Sequence, residues 1–128
     1  MRAQEVLLLD RCASVERAGI PWTMHTDAPV SPLGTLHKIR VAVARDLWKE
    51  PDTVLAPDER VSVEAAIRAV TSTAAWQCHS EEVIGSLEPG KLADLVILEA
   101  DPRSVQPTAI SDITVSETWM DGQLVYQA

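Results

Sequence analysis

The residues with the clearest chemical potential are a histidine and an aspartate two positions apart, in the segment His25-Thr26-Asp27-Ala28-Pro29. The alternation of residues 20–26 predicts a short β-strand, on which His25 and Asp27 face the same side. Asp27 lies at the carboxyl end of that strand, where functional sites of α/β proteins gather. A carboxylate there can bind a metal ion or accept a proton from a bound water. His25 and Asp27 are therefore the candidate site residues.

Both residues also have an ordinary structural interpretation. An aspartate before a turn often caps the following loop through its own side chain. A single histidine near a strand end is usually held by a hydrogen bond and has no role as a ligand. The local sequence leaves both interpretations open.

The other reactive residue types show no catalytic spacing. His37 and His79 form no H-x-x-x-H pair, and His37 lies off the apolar stripe of its helix, where we expect it to face solvent. Cys12 and Cys78 form no C-x-x-C motif, so we expect each to be a small buried hydrophobe. No serine lies in a G-x-S-x-G elbow, which argues against a nucleophilic serine.

The elements that must position these residues are predicted by periodicity and turn chemistry. Apolar residues three and four apart predict helices over 3–18 and 35–48, and a third from the N-cap Ser62 to about residue 76 or 78. Gly19 is expected to end the first helix, and the prolines and glycine of 27–34 predict a loop.

The last third of the chain is predicted to be rich in β-structure. Asp121-Gly122 between two β-type runs is a strong hairpin signal. The predicted segments are a polar connector between Pro51 and Pro57, turns at 85–91, a buried strand within 92–98, and two strands at 113–120 and 123–126.

Composition limits the class of protein. The chain has 128 residues and a net charge of −8, which argues against binding to nucleic acid or to an anionic membrane. It has no apolar run of the ~20 residues that cross a bilayer and no convincing signal peptide. Two cysteines cannot form a disulfide framework, so we expect a reducing, cytoplasmic location. A complete (β/α)8 barrel needs roughly 200 residues or more.

Two long motifs resemble one family. Residues 19–30 resemble the last barrel strand of metal-dependent amidohydrolases, G-[IV]-x-(apolar)-x-x-x-[ST]-D-x-P, and residues 85–98 resemble their C-terminal signature, G-[ST]-[IL]-x-x-G-K-x-A-D-[LF]-V-[IV]-[LD]. Residues 59–71 resemble the helix that links barrel and tail, and Asp101-Pro102 and residues 119–126 fit as well. The most similar branch includes the N-substituted formamide deformylases.

The resemblance implies a fold, a reaction and a cofactor. It implies a (β/α)8 hydrolase with a small β-sandwich domain, acting on carbon–nitrogen bonds other than peptide bonds in a small amide-like substrate. A divalent metal, zinc by preference, would activate a water. Asp27 would take the proton of that water, pass it to the leaving nitrogen and also touch the metal. His25 is a candidate substrate contact.

The resemblance also marks what the sequence lacks. The family's H-x-H motif and its other metal ligands have no counterpart here, and one carboxylate cannot hold a metal that needs three or more protein ligands. We therefore expect an incomplete barrel that binds no metal stably alone, is inactive alone, and either self-associates or joins a missing N-terminal part. The expected parts are the end of the barrel at 1–50, a connecting helix at 51–82, and strands of the small β-domain at 83–128. The alternatives are a non-enzymatic binding or assembly module, or a subunit that completes its barrel with a separate chain.

Overall fold

The computed structural model describes residues 9–128 and contains helices and two small antiparallel sheets. This bears out the predicted mixture of helices with a β-rich tail. The elements in chain order are α1 (Cys12–Arg17), α2 (Thr35–Ala44), β1 (Asp46–Leu47), β2 (Glu50–Val54), α3 (Val63–Val70), α4 (Ser72–Gln77), β3 (Leu95–Leu98), β4 (Val115–Met120) and β5 (Gln123–Gln127), with 3₁₀ turns at Pro57–Glu59 and Pro107–Asp112.

Helix α1 is shorter than the predicted helix over 3–18, of which residues 1–8 lie outside the described residues. It begins only at Cys12, because Asp10 has a φ of +48°, which a helix cannot contain. Its end agrees with the prediction. Gly19 has a φ of +69°, and the N–H groups of Gly19 and Ile20 donate to carbonyls of the last turn at 2.9 and 3.2 Å.

The predicted strand at 20–26 is wrong, because this segment has no regular structure and belongs to neither sheet. A strand needs a neighbour to complete its hydrogen bonds, and the described residues place none beside it. Trp22 and Met24 nevertheless pack against the core as partly buried side chains, whereas Ile20 of the same pattern is exposed.

Helix α2 ends at Ala44, four residues before the predicted end, because Arg45 turns into the left-handed region with a φ of +54°. The polar connector predicted after it is instead a hairpin of β1 and β2. The residues of β2 are mostly exposed and show no apolar alternation, so periodicity gave no strand signal.

The third predicted helix begins as expected and is then interrupted. The Ser62 hydroxyl accepts a hydrogen bond from the N–H of Ala65 at 3.1 Å, as its N-cap role predicts. Thr71, with φ −125° and ψ −98°, separates α3 from α4. Its hydroxyl donates to the carbonyl of Ile67 at 2.7 Å, and such a local bond competes with helical pairing.

Strands β3, β4 and β5 form a sheet in that order. The predicted Asp121-Gly122 hairpin is confirmed, with φ of +50° and +71° at the two turn residues. The turn is held from β3's side: Gly122 N–H donates to the Ala93 carbonyl at 3.1 Å, and Asp121 N–H donates to Asp94 Oδ1 at 2.8 Å.

The core is helical and rich in small side chains. Its buried cluster comes from α1, α2, α3, the second 3₁₀ turn and the segment just before α3, and consists of Ala13, Ile39, Ala42, Val43, Val61, Ala65, Ala66 and Ile110. No helix within residues 9–128 has the length and apolar character needed to cross a membrane.

Candidate active site

The structure brings the two candidate residues into contact. His25 Nδ1 lies 3.2 Å from Asp27 Oδ1, at the start of the loop that leads to α2. Both side chains are open to solvent, 82% and 77% exposed. In this arrangement the imidazole N–H can donate a hydrogen bond to the carboxylate, while both side chains remain accessible to a ligand.

A cavity of about 310 Å³ lies beside His25. Its walls come from the start of α1, residues 23–26, the loop, and α2 with the following Arg45. They include His25, Thr26, Ser31, His37 and Lys38. The expectation that His37 faces solvent is therefore wrong, because His37 is half-buried against this cavity.

The sequence pattern did not single out the cavity's α2 wall. Lys38, Val41 and Ala42 are spaced by three and four residues, so they lie on one face of α2, but that face is mixed in polarity. The helical spacing of these residues was therefore visible in the sequence, but a search for apolar stripes does not detect a face of mixed polarity. The loop at 27–34 brings Ser31 to the same cavity, and nothing in its sequence fixes that direction.

The described residues do not fit a complete metal site. Within residues 9–128, no group of three or more histidine, cysteine, aspartate or glutamate side chains could hold a metal ion. His25 and Asp27 supply two donors, whereas protein zinc sites use three or four protein ligands.

The two cysteines differ from each other. Burial is the main cause that raises the pKa of the half-buried Cys12 thiol, with the Asp10 carboxylate adding to it, so this thiol is a poor nucleophile. Cys78 is exposed at the end of α4, and the prediction that it is buried is wrong.

A charged cluster that the sequence did not reveal joins α1 to the first 3₁₀ turn. The Glu59 carboxylate, only 7% exposed, accepts hydrogen bonds from the Ser14 hydroxyl and, at 2.8 Å, from the Ser14 N–H. These bonds, and next the nearby Arg17 and Arg11, lower the pKa of Glu59 below the ordinary value. None of its residues lines the cavity, and its bonds orient α1 relative to the first 3₁₀ turn.

The described residues thus combine an exposed His25–Asp27 pair, a helical core and a three-stranded tail. The profile of the Amidohydrolase family matches residues 1–126. This chain therefore belongs to the amidohydrolase family, as its motifs indicated.

Individual relatives agree with this assignment. The chain is 31% identical to an N-substituted formamide deformylase of Arthrobacter pascens over 124 residues, which cover 97% of this chain and 22% of the relative. It is 37% identical to the protein LONG AFTER FAR-RED 3 of Arabidopsis thaliana over 101 residues, or 79% of this chain and 17% of the relative. The chain thus spans about a fifth of the length of these curated relatives.

A solved structure shows the same fold. An amidohydrolase from Thermotoga maritima MSB8 superposes with a TM-score of 0.70 at 23% identity, over 93% of this chain and 26% of that protein.

Proposed function

We propose that this chain is the C-terminal part of a hydrolase acting on carbon–nitrogen bonds other than peptide bonds, in a small amide-like substrate. The observation that carries the proposal is the family match over residues 1–126 combined with the exposed His25–Asp27 pair. Residues 1–50 would form the end of an otherwise missing barrel, 51–82 a connector, and 83–128 strands of the small β-domain.

In the complete enzyme, Asp27 would be the proton-transfer residue. Its carboxylate would take a proton from the attacking water and return it to the leaving nitrogen, as a general base and then a general acid. His25 would contact the substrate from the cavity wall, since its Nδ1 lies against Asp27 and its ring borders the cavity. The exposure of both side chains leaves them accessible to groups from the rest of the barrel.

The cofactor of the complete enzyme would be a divalent metal ion, for which zinc is our choice. Asp27 would be one of its ligands, and the other ligands would come from parts of the enzyme outside the described residues. We expect the 128-residue chain to retain no metal through dialysis, since His25 and Asp27 are too few donors. The two free thiols support a reducing, cytoplasmic location.

The proposal predicts a difference between the chain and its complete enzyme. The purified 128-residue chain with added zinc should not hydrolyse a panel of N-alkylformamides above background. The protein encoded by the reading frame extended upstream of Met1 should hydrolyse at least one of them. In that protein Asp27→Asn should lower kcat by about 10²- to 10⁴-fold, because the proton acceptor is lost.

The control is Asp52→Asn, which makes the same chemical change at an exposed aspartate on β2. It should leave kcat unchanged. Turnover by the 128-residue chain alone would refute its inactivity. Equal kcat in Asp27→Asn and the unmodified enzyme would refute the role of Asp27. Co-purification with a separate chain that carries H-x-H would identify a two-subunit barrel.

A further inference from the structure

The cavity beside His25 contains a cation that the proposed proton transfer does not use. Lys38 is half-buried on its wall, and none of the ion pairs formed among residues 9–128 includes it. A cation on a cavity wall without a counter-ion attracts anions to that cavity.

The charge of the cavity wall departs from that of the whole chain. The chain has 19 acidic and 11 basic residues, whereas the wall has two cations, Lys38 and Arg45, and one carboxylate, Asp10. Three of the five N–H groups of Arg45 donate to backbone carbonyls, and Arg45 is only 6% exposed, so most of its donors are already used. Lys38, which is more exposed than Arg45, is therefore the cation more available to a ligand.

Hydroxyl groups and imidazoles complete the wall. Thr26 and Ser31 can each donate a hydrogen bond, and His25 and His37 can each present an N–H. A cavity wall that combines an ammonium with several neutral donors is suited to an anion with two or more oxygen atoms. The volume of about 310 Å³ lies at the small end of ligand pockets, so it would accommodate one part of a substrate.

We propose that this cavity binds an anionic group with oxygen ligands, a carboxylate or a phosphate, and that Lys38 is its counter-ion. As a statement about substrate class, this rests on the proposed function: the amide-like substrate would carry an acidic group that enters this cavity while its scissile bond lies near Asp27. The specificity of the enzyme would then depend on Lys38, which belongs to the α2 wall and not to the proton-transfer pair.

The test is an NMR titration of the 128-residue chain with acetate, inorganic phosphate and acetamide, each alone. At least one anion should produce saturable shifts of the backbone amides of His37 and Lys38. Acetamide, a neutral molecule of the same shape as acetate, should not. The tighter of the two anions identifies the source of the group. Equal shifts with acetamide, or no saturable shift with either anion, would overturn the proposal.

Three variants separate charge from structure. Lys38→Met should weaken anion binding about tenfold or more, because a charge-assisted contact is lost. Lys38→Arg should retain binding, which keeps the test valid if Lys38→Met does not fold. Lys49→Met, on the exposed hairpin turn, removes the same charge elsewhere and should bind as the unmodified chain does. Unchanged affinity in Lys38→Met would refute the assignment.

The proposed function can fail separately from this inference. Asp27→Asn should not weaken the anion affinity of the 128-residue chain, because it removes a negative charge beside the cavity, while it removes hydrolysis in the complete enzyme. Anion binding through Lys38 in an enzyme whose hydrolysis does not depend on Asp27 would refute the proposed function alone. Hydrolysis that depends on Asp27 without anion binding would refute the cavity assignment alone.

Discussion

At the scale of single residues, two buried charged side chains connect segments that are distant in sequence. Arg45 and Glu59 are 6% and 7% exposed. Arg45 donates to the carbonyls of Leu9, Asp10 and Leu55, and Glu59 accepts from Ser14. Charges can be buried at acceptable cost only when such bonds replace water.

The lowered pKa of Glu59 predicts a pH-dependent stability. A carboxylate whose pKa is lower in the folded state than in the unfolded state stabilises the fold above its unfolded value, here about 4.5, and this contribution is lost as the pH falls through the folded pKa. Glu59→Gln should therefore lower the melting temperature at neutral pH and reduce its decline below about pH 4.5. Thermal unfolding across this pH range measures both effects.

The control for this prediction is Glu82→Gln, a substitution at an exposed glutamate. It should leave the acid-induced decline as it is in the unmodified chain. A Glu59→Gln variant with the same decline would show that the pKa of Glu59 does not differ between the folded and unfolded states.

The candidate site was predictable only where short-range spacing determines it. His25 and Asp27 are two residues apart and lie in contact, although the strand on which this was expected is absent. Lys38 and Ser31 could not be placed, because their convergence depends on the path of the loop at 27–34. Prolines predict that such a loop exists, but they do not determine which wall it contacts.

At the scale of elements, the tail docks onto α4 at one glycine. Gly85 has a φ of +92°, and a Cβ built there would lie 2.5 Å from Ala75 Cβ, closer than two carbon atoms can approach. The motif that opens the C-terminal signature therefore requires glycine for two separate reasons, backbone conformation and contact distance.

Gly85→Ala should destabilise the chain by about 2 to 5 kcal/mol, the sum of a left-handed backbone penalty and overpacking. Gly90→Ala is a matched control, because Gly90 has a φ of +98° with nothing within 4 Å of the added Cβ. It should cost about 1 to 2 kcal/mol. Urea unfolding of both variants measures the difference, and equal losses would contradict a contact at Gly85.

Elements with a local chemical signal were predicted well. The Ser62 cap, the Gly19 terminator and the Asp121-Gly122 turn each depend on residues within a few positions of one another. The strand expected at 20–26 is absent, and the hairpin at 46–54 was not predicted. A strand depends on its partner, and the left-handed turn at Arg45 depends on carbonyls up to 36 residues away.

At the scale of the whole molecule, the buried core and the three-stranded sheet are separate. None of the buried core residues lies in β3, β4 or β5. The two outer strands of this sheet also have no further strand beside them among the described residues. Its exposed large apolar side chains are Val96, Ile97, Met120, Leu124, Val125 and Tyr126.

We therefore predict that the 128-residue chain self-associates through this sheet, since apolar faces and open strand edges favour pairing. Sedimentation analysis should show a mass that rises with concentration. Ile97→Lys on β3 should shift the distribution toward monomer, because an edge lysine opposes strand addition. Thr53→Lys on β2 is the control and should not. A compact monomer at all concentrations would contradict the prediction.

The hairpin of β1 and β2 is closed at its base by two bonds between the same residues. Leu55 N–H donates to the Arg45 carbonyl, and Arg45 Nε donates to the Leu55 carbonyl, both at 2.8 Å. At the far end, Trp48 is 92% exposed. A peptide tag or fluorophore inserted between Trp48 and Lys49 would thus leave the bonds at the hairpin base and the core packing unchanged. This turn is therefore a suitable place to label or immobilise the protein.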